Sequence, residues 1–263
     1  MTSSLDRLDD ELAVAVELAD AADAVTLVPF HERAFTIEHK ADDSEVTAID
    51  RNAERAIADR LAKLRPHHQL YGEEGGTSGA DSPWRWIVDP IDGTSGFVRG
   101  IPVWATLIAL DHADEGLLAA MVSAPALGRR WWAVRGAGAF ADGRPCHVSA
   151  VDALADAQVS VTFSAGWDDL GLTGALVSLA SGARRARGFG DFWQHALVAE
   201  GALDVAVDAV GVMPYDVAAV RLLVEEAGGV LTDRHGRPTH EADTAVSTNG
   251  HLHPDVIARL VVP

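Results

Sequence analysis

Trp86-Ile87-Val88-Asp89-Pro90-Ile91-Asp92-Gly93-Thr94-Ser95 runs an apolar segment into a turn that carries two carboxylates. Aromatic and β-branched residues favour a strand over 86–88. Pro90 lacks the amide that a central strand uses and is expected to end it, while Gly93 permits a tight backbone turn. Asp89 and Asp92 on such a turn can face one point, an arrangement that mutual repulsion makes costly without a cation. Hard divalent ions with oxygen ligands, Mg2+ above all, suit that chemistry. Beyond the turn, the amides of Gly93, Thr94 and Ser95 are placed to open a short helix and to offer N–H donors to a phosphate.

Working outward, two more acids stand where a strand is expected to end or a helix to begin. They are Glu73 in Gly72-Glu73-Glu74-Gly75 and Asp216 in Pro214-Tyr215-Asp216-Val217-Ala218-Ala219. Each acid has a plain structural alternative. Glu73 and Glu74 suit a solvated loop, Asp89 and Asp92 can bond their own turn, and Asp216 suits the first turn of a helix, where the dipole favours it. Taken singly these alternatives prevail. Taken jointly, four acids at the ends of separate segments favour a metal-dependent site.

The spacing of Leu5, Leu8, Leu12, Val16 and Ala19 predicts an amphipathic helix over 4–28, and Ala53, Ala56, Ile57, Leu61 and Leu64 predict a second over 51–64. Short runs rich in Trp, Ile and Val predict strands at 86–88, 103–110, 117–123 and 130–134. Past Pro145, strands at 158–163, 185–189, 205–208, 230–232 and 245–247 alternate with helices near 172–179, 192–200 and 215–227, and a last helix starts at Pro254. This order predicts an α/β chain in two halves. An α+β half over 1–145 carries most of the candidate ligands, and an α/β half over 146–263 carries Asp216.

A chain of 263 residues with 48% hydrophobic and 23% charged residues can bury a sizeable core without a disulfide staple. A net charge of −18, with no basic run beyond Arg184-Arg185 and Arg187, excludes nucleic acid as an expected partner. An acidic chain that handles an anionic small molecule is expected to do so through bound cations. The single cysteine, Cys146, excludes an internal disulfide and a thiolate zinc site. The best apolar run, 101–110, is shorter than the roughly 18–20 residues of a membrane span. Met1-Thr2-Ser3-Ser4 has no basic segment leading into an apolar one, so the chain reads as cytoplasmic, with no membrane partner. Gly136-Ala137-Gly138-Ala139-Phe140-Ala141 imitates a dinucleotide loop, but Asp142-Gly143-Arg144-Pro145 leaves no place for the required helix. The histidines fall mostly in polar turns and are read as solvated.

The acidic motifs together resemble the inositol monophosphatase family of magnesium-dependent, lithium-sensitive phosphomonoesterases. Asp89-Pro90-Ile91-Asp92-Gly93-Thr94 matches its D-P-x-D-G-T, Gly72-Glu73-Glu74 its G-E-E, and Val46-Thr47-Ala48-Ile49-Asp50 its V-T-x-x-D. Tyr215-Asp216-Val217-Ala218-Ala219 matches its W-D-x-A-A with Tyr in place of Trp. The resemblance spans nearly the whole chain. Phe97-Val98-Arg99-Gly100-Ile101-Pro102-Val103-Trp104, Ala124-Pro125-Ala126-Leu127-Gly128-Arg129-Arg130-Trp131-Trp132 and Gly188-Phe189-Gly190-Asp191-Phe192-Trp193-Gln194-His195 are similar to the histidinol-phosphate phosphatase branch of the family.

The resemblance implies a layered αβαβα sandwich, a homodimer, and hydrolysis of a small phosphomonoester with L-histidinol phosphate as the first substrate choice. Inositol 1-phosphate or another small phosphorylated alcohol is the alternative. It implies two to three Mg2+ ions. The first would be held by Glu73, Asp89 and the Ile91 carbonyl, the second by Asp89, Asp92 and Asp216, and a weaker third by Glu73 and water. Asp50, Glu73 and Thr94 become the catalytic residues, with Thr94, oriented by Asp50, acting on the attacking water. Glu73, Asp92, Asp216 and the Gly93, Thr94 and Ser95 segment would face the phosphate end of the substrate. Arg187 and Asp191 lie where substrate contacts are expected, although Asp191 also suits a simple cap of the 192–200 helix. A non-catalytic cation- or phosphometabolite-binding protein on this fold would need a broken Thr94 and Asp50 pair, and both residues are present.

Overall fold

The apolar stripe of the first helix, α1 (Ser4–Glu32), meets that of α2 (Ala48–Leu64), and the two lie on one sheet face. A computed structural model describes residues 4–39 and 45–261. The chain divides into two compact units, Met1–Ala137 and Gly138–Pro263. Between the helices, β1 (Ile37–His39) and β2 (Glu45–Thr47) pair antiparallel. Then follow β3 (Gln69–Gly72), β4 (Gly76–Gly79), β5 (Trp84–Asp92), the short helix α3 (Thr94–Arg99), β6 (Ala105–His112), β7 (Gly116–Ala124) and β8 (Arg129–Val134). The strands of this unit lie in the order β8-β7-β6-β5-β3-β4. Among the described strands of this unit, β3 and β5 pair parallel and the other neighbours antiparallel. Trp86, Val88, Ile108, Leu110 and Met121 point to the helical layer, where Leu18, Ala22, Ile57 and Leu61 meet them. The alternation follows from the two-residue period of a strand.

Pro90 does not end its strand. β5 continues to Asp92 and keeps its ladder with β6 through a register shift between Asp89 and Asp92. On the other side β3 pairs only as far as Gly72 opposite Val88, so no neighbour there calls for an amide at position 90. The Pro90 carbonyl instead accepts from the Thr106 hydroxyl at 2.9 Å. Helix α2 starts at Ala48, earlier than its apolar spacing predicts, because Thr47 and Asp50 form a capping box at its end. Helix α1 continues past residue 28 to Glu32, with Pro29 inside its last turns.

Behind α3, the ring of Phe97 packs at 5.4 Å from Phe30, 5.1 Å from Phe35 and 5.0 Å from Trp104 between centroids. Ile91 and Ile49 join this cluster, so the same apolar contacts support the end of β5 and the start of α2. Phe97→Ala is expected to cost about 3–5 kcal/mol of stability. Urea unfolding measures it, and a cost under about 1 kcal/mol would mean the cluster does not hold α3.

In the second unit β9 (Gly138–Ala141) and β10 (Arg144–Pro145) form a hairpin, followed by β11 (Gln158–Val161), α4 (Ala165–Asp169), α5 (Thr173–Gly182), β12 (Arg185–Arg187) and α6 (Asp191–Ala199). Then come β13 (Val205–Val207), α7 (Pro214–Glu226), β14 (Val230–Thr232), β15 (Val246–Thr248) and α8 (His253–Leu260). The division falls ahead of this hairpin, at Gly138, rather than after Pro145. The Cys146 amide donates to Ala139 at 2.8 Å, and the Gly138 amide to Glu226 on α7 at 2.9 Å. The sheet order is β12-β11-β13-β15-β14, with β12, β11 and β13 parallel. Val159, Val161, Val205, Val207 and Val246 pack against α5 and α8 through Leu176, Leu179, Val256 and Leu260. The alternate residues Ser160 and Ser247 bond to Gln194 and His195 of α6 on the other face.

Candidate active site

The end of β5 delivers Asp89 and Asp92, exposed by 2% and 7%, with a carboxylate oxygen of each within 4.8 Å of the other. The register shift produces this approach. Asp89 Oδ1 accepts the Ile91 amide at 2.9 Å, bending the backbone so that Asp92 turns to the side of Asp89. Gly93 then adopts φ 83°, a left-handed conformation that a side chain disfavours, and α3 begins at Thr94. The first amides of α3 have no acceptor within the helix.

Thr94 and Asp50 meet as the sequence implies. The Thr94 hydroxyl lies 3.2 Å from Asp50 Oδ1 and 2.8 Å from the Ile91 carbonyl, and its single proton can serve only one of them at a time. Asp50 is fully buried, and Oδ2 accepts both the Thr47 amide at 2.8 Å and the Thr47 hydroxyl at 2.7 Å. Burial pushes the Asp50 carboxyl above the ordinary carboxylate range, against the opposing pull of those hydrogen bonds.

Glu73 follows β3 in the turn to β4, and its amide donates to the Val88 carbonyl at 3.2 Å, beside Asp89. A residue that sequence reasoning missed shapes this turn. Glu54, one helical turn after Asp50 on α2, accepts the Glu74 amide at 2.8 Å on Oε2 and the Gly75 amide at 2.7 Å on Oε1. The available signal was a glutamate on the buried stripe of α2, beside Ala53 and Ile57.

In the second unit Asp216 stands in the first turn of α7, where its Oδ2 accepts the Met213 amide at 2.7 Å. Arg187 ends β12 with an exposed side chain that donates to the Ala186 carbonyl. Asp191 is not a cap. Gly190 holds the cap position of α6, no side chain caps the helix, and Asp191 has φ 48°. Its side chain keeps an exposed face. Burial of the rest, and after it the charge of Asp208, push its carboxyl up to about 6. Asp208 directly follows β13, and its Oδ2 lies 3.0 Å from His195 Nε2, whose Nδ1 lies 2.6 Å from the Ser247 hydroxyl. His195 is buried in this network. Asp191 and Asp208 therefore stand past the carboxyl ends of β12 and β13, where ligands bind in open parallel sheets.

The donor set at Asp89 and Asp92 fits a hard divalent cation: it is all oxygen, buried, and close enough that the two charges repel without one. The family model for the inositol monophosphatase family matches residues 7–262, and the chain belongs to that family. Its layered α/β sandwich follows. The chain superposes with a TM-score of 0.86 on the extragenic suppressor protein suhB of Bartonella henselae, at 30% identity and covering 94% of this chain and 97% of that one. A histidinol-phosphatase of Mycobacterium tuberculosis is 45% identical over 95% of this chain and 98% of its own length. One from Streptomyces coelicolor is 42% identical over 95% and 97%. No helix among the described residues is long and apolar enough to cross a membrane.

Proposed function

We propose that the chain hydrolyses L-histidinol phosphate to L-histidinol and phosphate with Mg2+ as cofactor. The observation that carries the substrate choice is the pair of carboxylates past β12 and β13. Asp191 carries a raised pKa, no capping bond and a left-handed backbone, which a helix-stabilising role does not require. A cation beside Asp191 and Asp208 removes their repulsion, and the ammonium of histidinol phosphate is such a cation.

The metal set proposed is Glu73, Asp89 and the Ile91 carbonyl for one ion and Asp89, Asp92 and Asp216 for another, with a weaker third on Glu73. Bound there, the ions supply Lewis-acid polarisation of the phosphate and of the attacking water. The chain's own residues do the rest. The Thr94 hydroxyl can give its single proton to Asp50, which leaves the hydroxyl oxygen to accept from the attacking water. A buried Asp50 of raised basicity suits that role. The amides of Gly93, Thr94 and Ser95 bind the phosphate, and Glu73, Asp92 and Asp216 line it. Arg187 is assigned to the outer edge of the substrate pocket. A homodimer in the cytoplasm belongs to the same proposal, and light scattering on the purified chain checks the dimer.

The test is Asp191→Asn. Asparagine tolerates φ 48° and removes repulsion, so stability at pH 7 should hold or rise. The sign follows from linkage. A carboxyl raised from 3.8 to about 6 lends stability below the lower value and loses it as pH rises through the higher one, so the wild type is the form penalised at pH 7. The kcat/KM for histidinol phosphate should fall about 10- to 100-fold, the ~1.5–3 kcal/mol of a charged hydrogen bond. A neutral phosphate ester should lose much less. Below about pH 6 the gap between wild type and variant should narrow, because Asp191 is then neutral in the wild type as asparagine is in the variant. Wild-type preference for inositol 1-phosphate would overturn the substrate assignment and leave the metal site standing.

A further inference from the structure

The turn that carries Glu73 has the sequence Gly72-Glu73-Glu74-Gly75, and three observations tie its shape to Glu54. The two Glu54 oxygens accept the successive amides of Glu74 and Gly75 at 2.8 and 2.7 Å. The side chain is 7% exposed on the helix that also carries Asp50. A Cβ built on Gly72 would stand 2.4 Å from the Glu54 carboxyl, and one on Gly75 would stand 2.7 Å from Glu54 Oε1. Neither glycine has a left-handed backbone, so both are there for room rather than for conformation. The carboxylate of Glu54 lies directly against the turn, where any larger residue would lift it off the amides.

We infer that Glu54 is a positioning residue for metal binding: it holds the Glu73 turn in the shape that presents Glu73 as a ligand, and Gly72 exists to let it approach. The inference rests on the proposed role of Glu73. On one side the Glu73 amide is fixed to Val88 at 3.2 Å, and on the other the next two amides are fixed to Glu54. With the backbone held at both ends, Glu73 loses little freedom when it meets the ion. Groups that orient a ligand in this way are worth about 10- to 100-fold in metal affinity. Glu54 thus links helix α2 to both halves of the chemistry, since Asp50 on the preceding turn of the same helix orients Thr94.

The experiment titrates Mn2+ alone into the metal-free full chain, follows free Mn2+ by electron paramagnetic resonance, and records the melting temperature in chelator. Glu54→Gln places an amide NH2 against one of the two backbone N–H groups, and Gly72→Ala pushes the carboxylate away. Each should weaken Mn2+ binding about tenfold or more, and the double variant should be little weaker than the worse single one. At saturating metal, kcat should stay within about threefold of wild type. A purely structural Glu54 would lower the metal-free melting temperature and leave Mn2+ affinity alone. Glu73→Gln is the control. If it weakens binding tenfold and Glu54→Gln does not, the inference is overturned. If Glu73→Gln leaves binding unchanged, the metal assignment of Glu73 fails instead. Should Glu54→Gln not fold, Gly72→Ala carries the same test.

Discussion

Asp92→Asn is expected to lower kcat/KM roughly 10³-fold, about 4 kcal/mol of transition-state stabilisation, while the protein folds as before. Asparagine is nearly isosteric, and it removes one of two buried carboxylates whose oxygens lie within 4.8 Å of each other. The metal-free variant should therefore melt at or above the wild-type temperature. That combination separates a ligand from a turn-forming aspartate, because losing a turn bond lowers the melting temperature whereas losing one of two repelling carboxylates does not. Excess chelator should abolish wild-type turnover, and Mg2+ should restore it. Turnover within tenfold of wild type in Asp92→Asn, or undiminished in chelator, would remove the metal mechanism.

The second large effect is expected at Thr94 and Asp50. Thr94→Ala and Asp50→Asn should each reduce kcat by roughly 10²- to 10³-fold, the scale of a positioned general base. The double variant should be little worse than either, since two residues that act on one proton do not lose it twice. Asp50 also closes the capping box with Thr47, so Asp50→Asn should cost about 1 kcal/mol or less of stability, read separately by thermal melting. Losses that multiply would show two independent contributions and break the pairing that the 3.2 Å contact suggests.

Much of this was legible because it is local. Amphipathic spacing located α2, and runs of Trp, Ile and Val located β5 to β8, while the alternation from β11 to α8 was read to within a few residues except for the five-residue α4. The run from Asp89 to Thr94 stood out because two carboxylates, a proline and a glycine so close together suit a cation-binding turn, although each aspartate alone also suits a plain turn. Short strands were harder. β3 and β4 cover only Gln69–Gly72 and Gly76–Gly79, too few residues to show an alternation, and they exist because β5 offers β3 an edge to pair with.

What the sequence by itself determined is therefore the class of fold, the acidic motifs and the order in which they occur. The tertiary structure alone decided that Pro90 lies inside a strand, because whether a missing amide matters depends on which neighbour needs it. It alone showed that Asp191 caps nothing and that His195 is buried between Asp208 and Ser247, since backbone angle and charge environment come from segments far away in the chain. It also gave Gly72 its reason, a carboxylate from position 54 resting where a side chain would be. Periodicity reports which face of an element is buried. Which atom meets which on that face is settled only by packing, because the partners are brought together by the fold and not by their spacing.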